Sequence, residues 1–457
     1  MKKAIVLAAG EGTRMKSNTP KVLHRVLGVS MLRNVIDELR KTDIEEIIVI
    51  VGHQKDDVID EIKDLESIKY EVQPIGKDYP YGTGYAVAQG VDYIEDEDEV
   101  LILCGDTPLL RGSTLKEFIN SNSNLKASVL TASVENNTGY GRIIKDEDGF
   151  VLKIVEEKDA NEEEKKIQEI NSGVYTFNGK ALKDNLKRLN TNNSQGELYL
   201  TDIVDLINKD GEKVGSFQIE DNEEILGVNS RIQLLQCENI LKNRINNHWL
   251  NEGVTILDPS STIIGPKVKI GIDTIIYPGA RILGDTEIGS NNIIEGDTSI
   301  VNSKIGNNNY IKSTYITESE VKNNVTIGPF AQLRPNTVVE DNAHIGNFVE
   351  LKKSTFGKGS KAGHLAYIGD AQVGENVNIG CGVITVNYDG IQKHLTKIED
   401  GAFIGSNANL VAPVNIGKNG FVACGSTITK DVGEDDLAIE RNDQVNIVGW
   451  VKRKYNK

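Results

Sequence analysis

The stretch STIIGPKVKIGIDTIIYPGARILGDTEIGSNNIIEGDTSI, Ser261 to Ile300, places an isoleucine at every sixth position: Ile264, Ile270, Ile276, Ile282, Ile288, Ile294 and Ile300. Such a run at one fixed spacing is hard to produce by chance, and an ordinary β-sandwich would favour a period of two. A hexapeptide repeat predicts a parallel β-helix, in which each six-residue unit forms one side of a triangular coil. The inward aliphatic of each unit stacks on the next coil, so the core is a column of Ile, Val and Leu. Glycine and asparagine suit the tight corners, where φ is positive.

The register returns at Val321, Ile327, Leu333, Val339, Ile345 and Leu351, and again at Ile404, Leu410, Ile416, Val422 and Ile428. It fails between Ile379 and Ile404, whose separation of 25 is no multiple of six, and that stretch contains VNYDGIQKHL. A loop must leave the coil there; its polar residues and the Asp389-Gly390 turn suit a protruding arm. On the other side of the repeat, RIQLLQCENILKNRINNHWL (Arg231 to Leu250) sets Ile232, Leu235, Ile245 and Trp249 near one face of a connecting helix. Up to about Gly227, strand-like runs alternate with helical stretches such as SMLRNVIDELRK. The strand-like runs are Lys3 to Leu7, EEIIVIVG (Glu45 to Gly52), EVLILCGD (Glu99 to Asp106) and KASVLTASV (Lys126 to Val134). This alternation implies a Rossmann-like α/β domain with a mostly parallel sheet, whose ligands sit beyond the carboxyl ends of the strands. The expected organisation is an α/β domain over 1–230, a helical linker over 231–251 and the β-helix over 252–457.

The formal charge of -16 over 457 residues argues against nucleic acid or a membrane surface as partner, since both are polyanions. Anionic small substrates remain compatible with locally basic pockets, and the first 25 residues supply one: Lys2, Lys3, Arg14, Lys16, Lys21 and Arg25 against Glu11 alone. Cys104, Cys237, Cys381 and Cys424 are scattered without a C-x-x-C pair, so reduced thiols are expected. No apolar run approaches the ~18 residues of a membrane span. The opening KKAIVLAAGEGTRM resembles a secretory signal only briefly, because the apolar run stops at Gly10 and Glu11, Thr13, Arg14 and Lys16 follow at once. A cytoplasmic enzyme is expected.

LAAGEGTRMKSNTPK joins a buried strand to a glycine-rich loop with Arg14 and Lys21 at fixed distance. Glycines let backbone N–H groups approach phosphates, and the two cations add charge; the G-K-S/T ending of a P-loop kinase is missing. Asp106 ends an apolar strand as CGDTPLL. A hard oxygen ligand there suits Mg²⁺ on nucleotide phosphates, against the alternative of an Asx-turn or cap before Thr107-Pro108. His364, in KAGHLAYIG, is a candidate base near Tyr367, or else a solvated corner residue. His24 and His53 carry no functional reading. The basic tail VKRKYNK serves solubility, or steers a phosphorylated coenzyme. The run Glu95 to Glu99 is a solvated loop.

LAAGEGTRM, PKVLH, GTG, CGDTP, GYGRI, VEEKDA, INSG and GVNSR occur in order, and the repeat region carries RP, NFVELKKS, GKGSKAGHLAYIGD, NIGCG and NYDG. By these motifs the whole chain resembles the bacterial bifunctional N-acetylglucosamine-1-phosphate uridylyltransferase and glucosamine-1-phosphate acetyltransferase family. The resemblance implies a nucleotidyltransferase-type α/β domain and a left-handed β-helix. It further implies acetylation of glucosamine 1-phosphate by acetyl-coenzyme A, then uridylyl transfer from UTP with release of pyrophosphate.

Carried over position by position, Leu7, Ala8, Ala9 and Gly10 would contact the nucleotide-sugar, with Arg14 and Lys21 at the triphosphate. Gln73, Gly82 and Thr83 would read the uracil and ribose, with Gly105 beside them. Asp106 and Asn229 would hold Mg²⁺, and Gly141, Glu156 and Asn171 the N-acetyl sugar. On the β-helix, Arg334 and Lys352 would take the sugar phosphate, Tyr367 and Asn378 the sugar, and His364 the amine proton. Cys381, Asn387, Tyr388, Ser406, Cys424 and Arg441 would line the acetyl-coenzyme A site, with a donor near Ser406 stabilising the oxyanion. Family members are trimers with acetyltransfer sites at subunit boundaries, and the outward positions here mix Thr, Tyr, Asn and charges without a large apolar patch.

Three departures stand out: extra residues between Gln73 and Gly82, Tyr85 where His is usual, and Cys381 and Cys424 at small Ala positions. Two rival readings are a nucleotidyltransferase whose β-helix is only structural or regulatory, and a non-catalytic scaffold.

Overall fold

A computed structural model describes residues 1–121 and 124–455, which divide into two compact units, Met1–Leu241 and Lys242–Lys457. The amino-terminal unit is built on a sheet that starts from Lys2–Ala8 and runs outward through Glu46–Val51 to Ile68–Val72 on one side. On the other side come Glu99–Cys104, Glu169–Asn178, Ala127–Ser133 and Val214–Gln218. Of these, Glu169–Asn178 alone runs antiparallel to its neighbours.

Side-chain alternation along Lys2–Ala8 sorts the core into two layers. Ala4, Val6 and Ala8 pack with Val35 and Ile36 of the helix Met31–Leu39 and with Phe118 of Gly112–Ser121. Ile5 points the other way, toward Val87 of Thr83–Ala88, Leu182 of Gly179–Leu186 and Ile203 of Asp202–Lys209. Helices therefore cover both faces, as apolar strand runs alternating with amphipathic helices require.

The second unit is a parallel β-helix. Ile264 pairs with Ile282 and Ile282 with Ile300, an 18-residue coil. Coils then shorten, Ile300 pairing with Ile316 and Ile305 with Val321, which explains the phase slip of the repeat after Ile300. All the hexad positions named above are buried and form one continuous column with Phe356. Ile379 pairs directly with Ile404, so the extra residues between them are looped out while the coils stay in contact. The arm is a tight hairpin in which Tyr388 and Lys393 bridge and Ile391 at its tip is 90% exposed. The Asp389 carboxylate accepts from the Ile391 and Gln392 amides and from His394, which holds its pKa down at about 2.

Four expectations change. The run Glu95 to Glu99 is not all solvated loop, since Asp98 is buried and pairs with Lys3 at 2.9 Å. The connecting helix runs Arg231–Asn251, but Ile232 and Leu235 are exposed; only Ile245 and Trp249 pack on the β-helix core, and the buried positions Cys237 and Asn246 replace the expected stripe. The corners are not all Gly and Asn: Phe330, Phe348 and Leu365 also take positive φ. Their side chains are largely exposed and the two Phe rings stack at 5.6 Å, so the outer surface is less uniformly polar than its composition suggests. The tail forms an exposed helix Trp450–Tyr455, and the last two residues of the basic run lie outside the described residues. Among the described residues no helix is long and apolar enough to cross a membrane.

Candidate active sites

The strand order reverses at Lys2–Ala8, since the chain first builds outward to one side and then returns to place Glu99–Cys104 on the other. Ligands favour the crevice at such a switch point. Leu7 pairs with Cys104, and the Gly105 amide donates to the Leu7 carbonyl at 2.9 Å, so both strands end together. A cleft of about 290 Å³ opens there, lined by Leu7, Ala8, Ala9, Gly10, Lys21, Gln73, Gly82, Thr83 and Asp106. Residues widely separated in sequence are thus gathered in one place. Gln73 belongs to this wall despite the longer stretch that follows it. Glycine is required at position 82, where φ is +120° and a Cβ would lie 2.4 Å from the Leu198 carbonyl oxygen.

At the mouth, Lys21 Nζ makes a short ion pair with Asp106 and donates to Asn229 Oδ1 at 3.2 Å; Arg14 donates to the same oxygen at 2.9 Å. Two hard oxygens thus converge on one cationic point, a donor set that fits Mg²⁺. Burial pushes the neighbouring Cys104 thiol up to about 12, with Asp106 adding to the rise and Lys21 opposing it. Gly141, Glu156 and Asn171 also come together, the Asn171 amide donating to the Gly141 carbonyl at 2.9 Å. Burial raises the Glu156 pKa, with Asp159, Asp202 and Glu197 adding to it and a hydrogen bond from Thr201 opposing it. Tyr85 lies on the short helix behind the cleft, its carbonyl accepting from Gln89. Sequence reasoning missed Tyr81 and Glu197, which line the same cleft. The Tyr81 carbonyl accepts from the Leu198 amide at 2.8 Å, a pairing no local motif signals.

On the β-helix, the expected residues fall into two groups. Arg334 pairs with Glu350 at 2.9 Å, and Glu350 is in register with Tyr367 on the next coil. Lys352 lies 3.8 Å from Asp370, which also accepts from Asn387 at 2.6 Å, while Asn387 reaches the Tyr367 hydroxyl at 3.5 Å. Lys393 beside it, together with desolvation, holds the Lys352 pKa below the ordinary ammonium range, Asp370 opposing. The second group follows a corner. Lys361, Asn378, Phe403 and Phe421 are in register, which stacks the residues three positions on: His364, Cys381, Ser406 and Cys424. All four are exposed.

His364 Nδ1 lies 2.7 Å from Asn347 Oδ1. An amide oxygen only accepts, so Nδ1 carries a proton, and in the neutral imidazole Nε2 is then the accepting nitrogen. Arg441 donates to the Cys424 carbonyl at 2.9 Å and lies 3.2 Å from its sulfur. Asn347 and Asp370 were missed because their partners are set by coil register, not by nearby sequence.

An α/β domain with a cleft at its glycine-rich loop, followed by a hexapeptide β-helix, defines a two-domain transferase. Residues 3–253 match the nucleotidyl transferase family, and residues 318–353 match the bacterial transferase hexapeptide repeats. The chain is 51% identical over 457 residues to the bifunctional protein GlmU of Clostridioides difficile (strain 630), covering 100% of this chain and 98% of that protein. It is 48% identical to the GlmU protein of Geobacillus sp. (strain WCH70), covering 98% and 97% of the two chains. Against that of Thermoanaerobacter pseudethanolicus it is 50% identical, covering 99% and 98%. The chain belongs to the GlmU family of bifunctional proteins.

Proposed function

We propose that each half of this chain performs one step in making UDP-N-acetylglucosamine. The observation that carries the reading is the convergence of Arg14, Lys21, Asp106 and Asn229 at the mouth of a strand-end cleft, in a chain that also orients His364 on a β-helix corner. In the first step, the 2-amino group of glucosamine 1-phosphate attacks the thioester carbonyl of acetyl-coenzyme A. His364 Nε2 takes the amine proton, Asn347 holds the ring, and the carbon–sulfur bond breaks, the departing thiolate taking up that proton to leave as the coenzyme thiol. Arg334 and Lys352 hold the sugar phosphate, Tyr367 and Asn378 the sugar, and a donor near Ser406 the developing oxyanion. Asn387, Tyr388, Cys381, Cys424 and Arg441 receive the coenzyme.

In the second step, a phosphate oxygen of N-acetylglucosamine 1-phosphate attacks the α-phosphorus of UTP in line, and pyrophosphate leaves. Asp106 and Asn229 would hold Mg²⁺, which supplies charge neutralisation on the phosphates. Arg14 and Lys21 add to that neutralisation, and the backbone from Leu7 to Gly10 fixes the nucleotide for in-line attack. Gly141, Glu156 and Asn171 seat the N-acetyl sugar.

Assembly is proposed as a homotrimer with shared acetyltransfer sites. The exposure of His364 and Ser406 in a single chain, and of Phe330, Phe348 and Leu365 beside them, supports this. Supplying glucosamine 1-phosphate, acetyl-coenzyme A, UTP and Mg²⁺ should yield UDP-N-acetylglucosamine. Accumulation of N-acetylglucosamine 1-phosphate alone, or no acetylation at all, would remove one half of the reading.

A further inference from the structure

His24 is 7% exposed, follows directly on the Lys21–Leu23 turn, and its Nδ1 lies 3.2 Å from an Arg231 guanidinium nitrogen. A guanidinium only donates, so Nδ1 is the acceptor and the imidazole is neutral, with its proton on Nε2. Burial and the Arg231 charge both push the His24 pKa down, which agrees with that form. Arg231 stands two residues after Asn229. The pair therefore ties the Asn229 segment to the turn that carries Lys21, across 207 residues of sequence.

That tie matters because the side-chain contacts of Asn229 are temporary. Its side-chain oxygen is held by Arg14 and Lys21, the cations assigned to the triphosphate. When those cations turn to phosphates, they release it. The Val228 amide on the Asp106 carbonyl at 2.9 Å, the Asn229 amide on Gln233 at 2.9 Å, and the Arg231–His24 contact remain. Only the last of these fixes the segment to the phosphate loop itself.

We propose that His24 is a positioning residue for uridylyl transfer: by accepting from Arg231 it holds Asn229 against the Lys21 turn while Lys21 and Arg14 engage the nucleotide. The proposal rests on the reading that Asp106 and Asn229 face the metal. Two substitutions separate acceptor from volume. His24→Leu keeps bulk and removes the acceptor, whereas His24→Asn loses bulk but keeps an acceptor near the Nδ1 position.

The full-length enzyme is tested without substrate by amide exchange at Val228 and Asn229, and with substrate by the free Mg²⁺ giving half-maximal pyrophosphate release. His24→Leu should speed exchange and raise the Mg²⁺ requirement, each about tenfold, while His24→Asn stays within about threefold of the parent on both. Arg231→Met should match His24→Leu, and the double substitution should be no worse than either, as members of one contact behave. Acetyl transfer by the same preparations reports folding of the other unit.

The proposal is overturned if His24→Leu leaves both readouts at the parental value, if His24→Asn is as damaged as His24→Leu, or if exchange rises while the Mg²⁺ requirement does not move. Asn229→Ala distinguishes the underlying assignment. If it leaves Mg²⁺ dependence unchanged, the metal assignment fails, and the exchange data still decide whether His24 holds the segment.

Discussion

Asp106→Asn removes one charge and keeps the shape of the side chain. At the cleft mouth the protein now holds Arg14, Lys21 and Asp106 together, and the carboxylate is the partner of the Lys21 ammonium. With an amide in its place the mouth is one unit more positive, so UTP binding should hold and its KM should change little. What is lost, on the proposed assignment, is an anionic oxygen for Mg²⁺. Removing one preorganised electrostatic stabiliser costs roughly 10² to 10³ in kcat, about 2.7–4 kcal/mol of transition-state stabilisation. We expect kcat for uridylyl transfer to fall at least ~100-fold, with pyrophosphate release followed at saturating preformed N-acetylglucosamine 1-phosphate. Coenzyme thiol release from acetyl-coenzyme A should stay parental. The Cys104 thiol gives an independent reading: burial is the main cause of its rise, but Asp106 contributes, so its pKa should come down in the variant. Alkylation rate against pH measures that. Pyrophosphate release within about threefold of the parent would refute the reasoning and leave Asp106 as the turn residue before Thr107-Pro108.

Four further outcomes follow from particular contacts. His364→Ala should cost acetyl transfer about 10² to 10⁴-fold and spare uridylyl transfer from preformed substrate; equal loss of both in one preparation would mean misfolding. Asn347→Leu should cost acetyl transfer roughly tenfold or more without changing the melting temperature by much, because it frees the ring tautomer of an exposed histidine; an unaltered rate would show the 2.7 Å contact to be incidental. Glu156 has a folded-state pKa raised above its ordinary value of 4.5, so the folded protein binds the extra proton and stability falls as pH rises from about 4.5 through the raised value. Glu156→Gln should therefore melt higher than the parent at neutral pH, with the gain vanishing below pH ~4.5, and should weaken N-acetyl sugar binding; a pH-independent difference in melting would be inconsistent with the shift. Gly82→Ala should abolish nucleotide binding measured by calorimetry, since the new Cβ would sit 2.4 Å from the Leu198 oxygen at a φ of +120°.

What the sequence disclosed follows from how many residues each feature demands. A β-helix needs an aliphatic at every inward position, so the Ile264 to Ile300 series is visible by eye. The glycine-rich loop is equally plain, because Gly10, Gly12, Arg14 and Lys21 all fall within one short stretch. Residues whose role depends on a distant partner left no such trace. His24 carries no functional reading alone, and Arg231 becomes its neighbour only when the sheet has closed. Asn347 and Asp370 gain their roles from register between coils, where a 17-residue step, as from Asn347 to His364, sets the contact. Ile232 and Leu235 mislead for the opposite reason: they satisfy a helical spacing, yet the first turns of the connecting helix leave them in solvent.

The corner beside His364 joins these two lessons. Most β-helix corners with positive φ carry Asn, Asp or Gly, which enter the left-handed region at low cost. Phe330, Phe348 and Leu365 enter it at about 1–2 kcal/mol each. In one chain they recover little of that, since their side chains are 60%, 57% and 59% exposed. Leu365 directly follows the residue assigned as base, and the adjacent corner column of His364, Cys381, Ser406 and Cys424 is open to solvent. Under the assembly proposed above, a second copy packing on that corner would bury these strained, exposed apolar groups and would close the proposed acetyltransfer site in the same act.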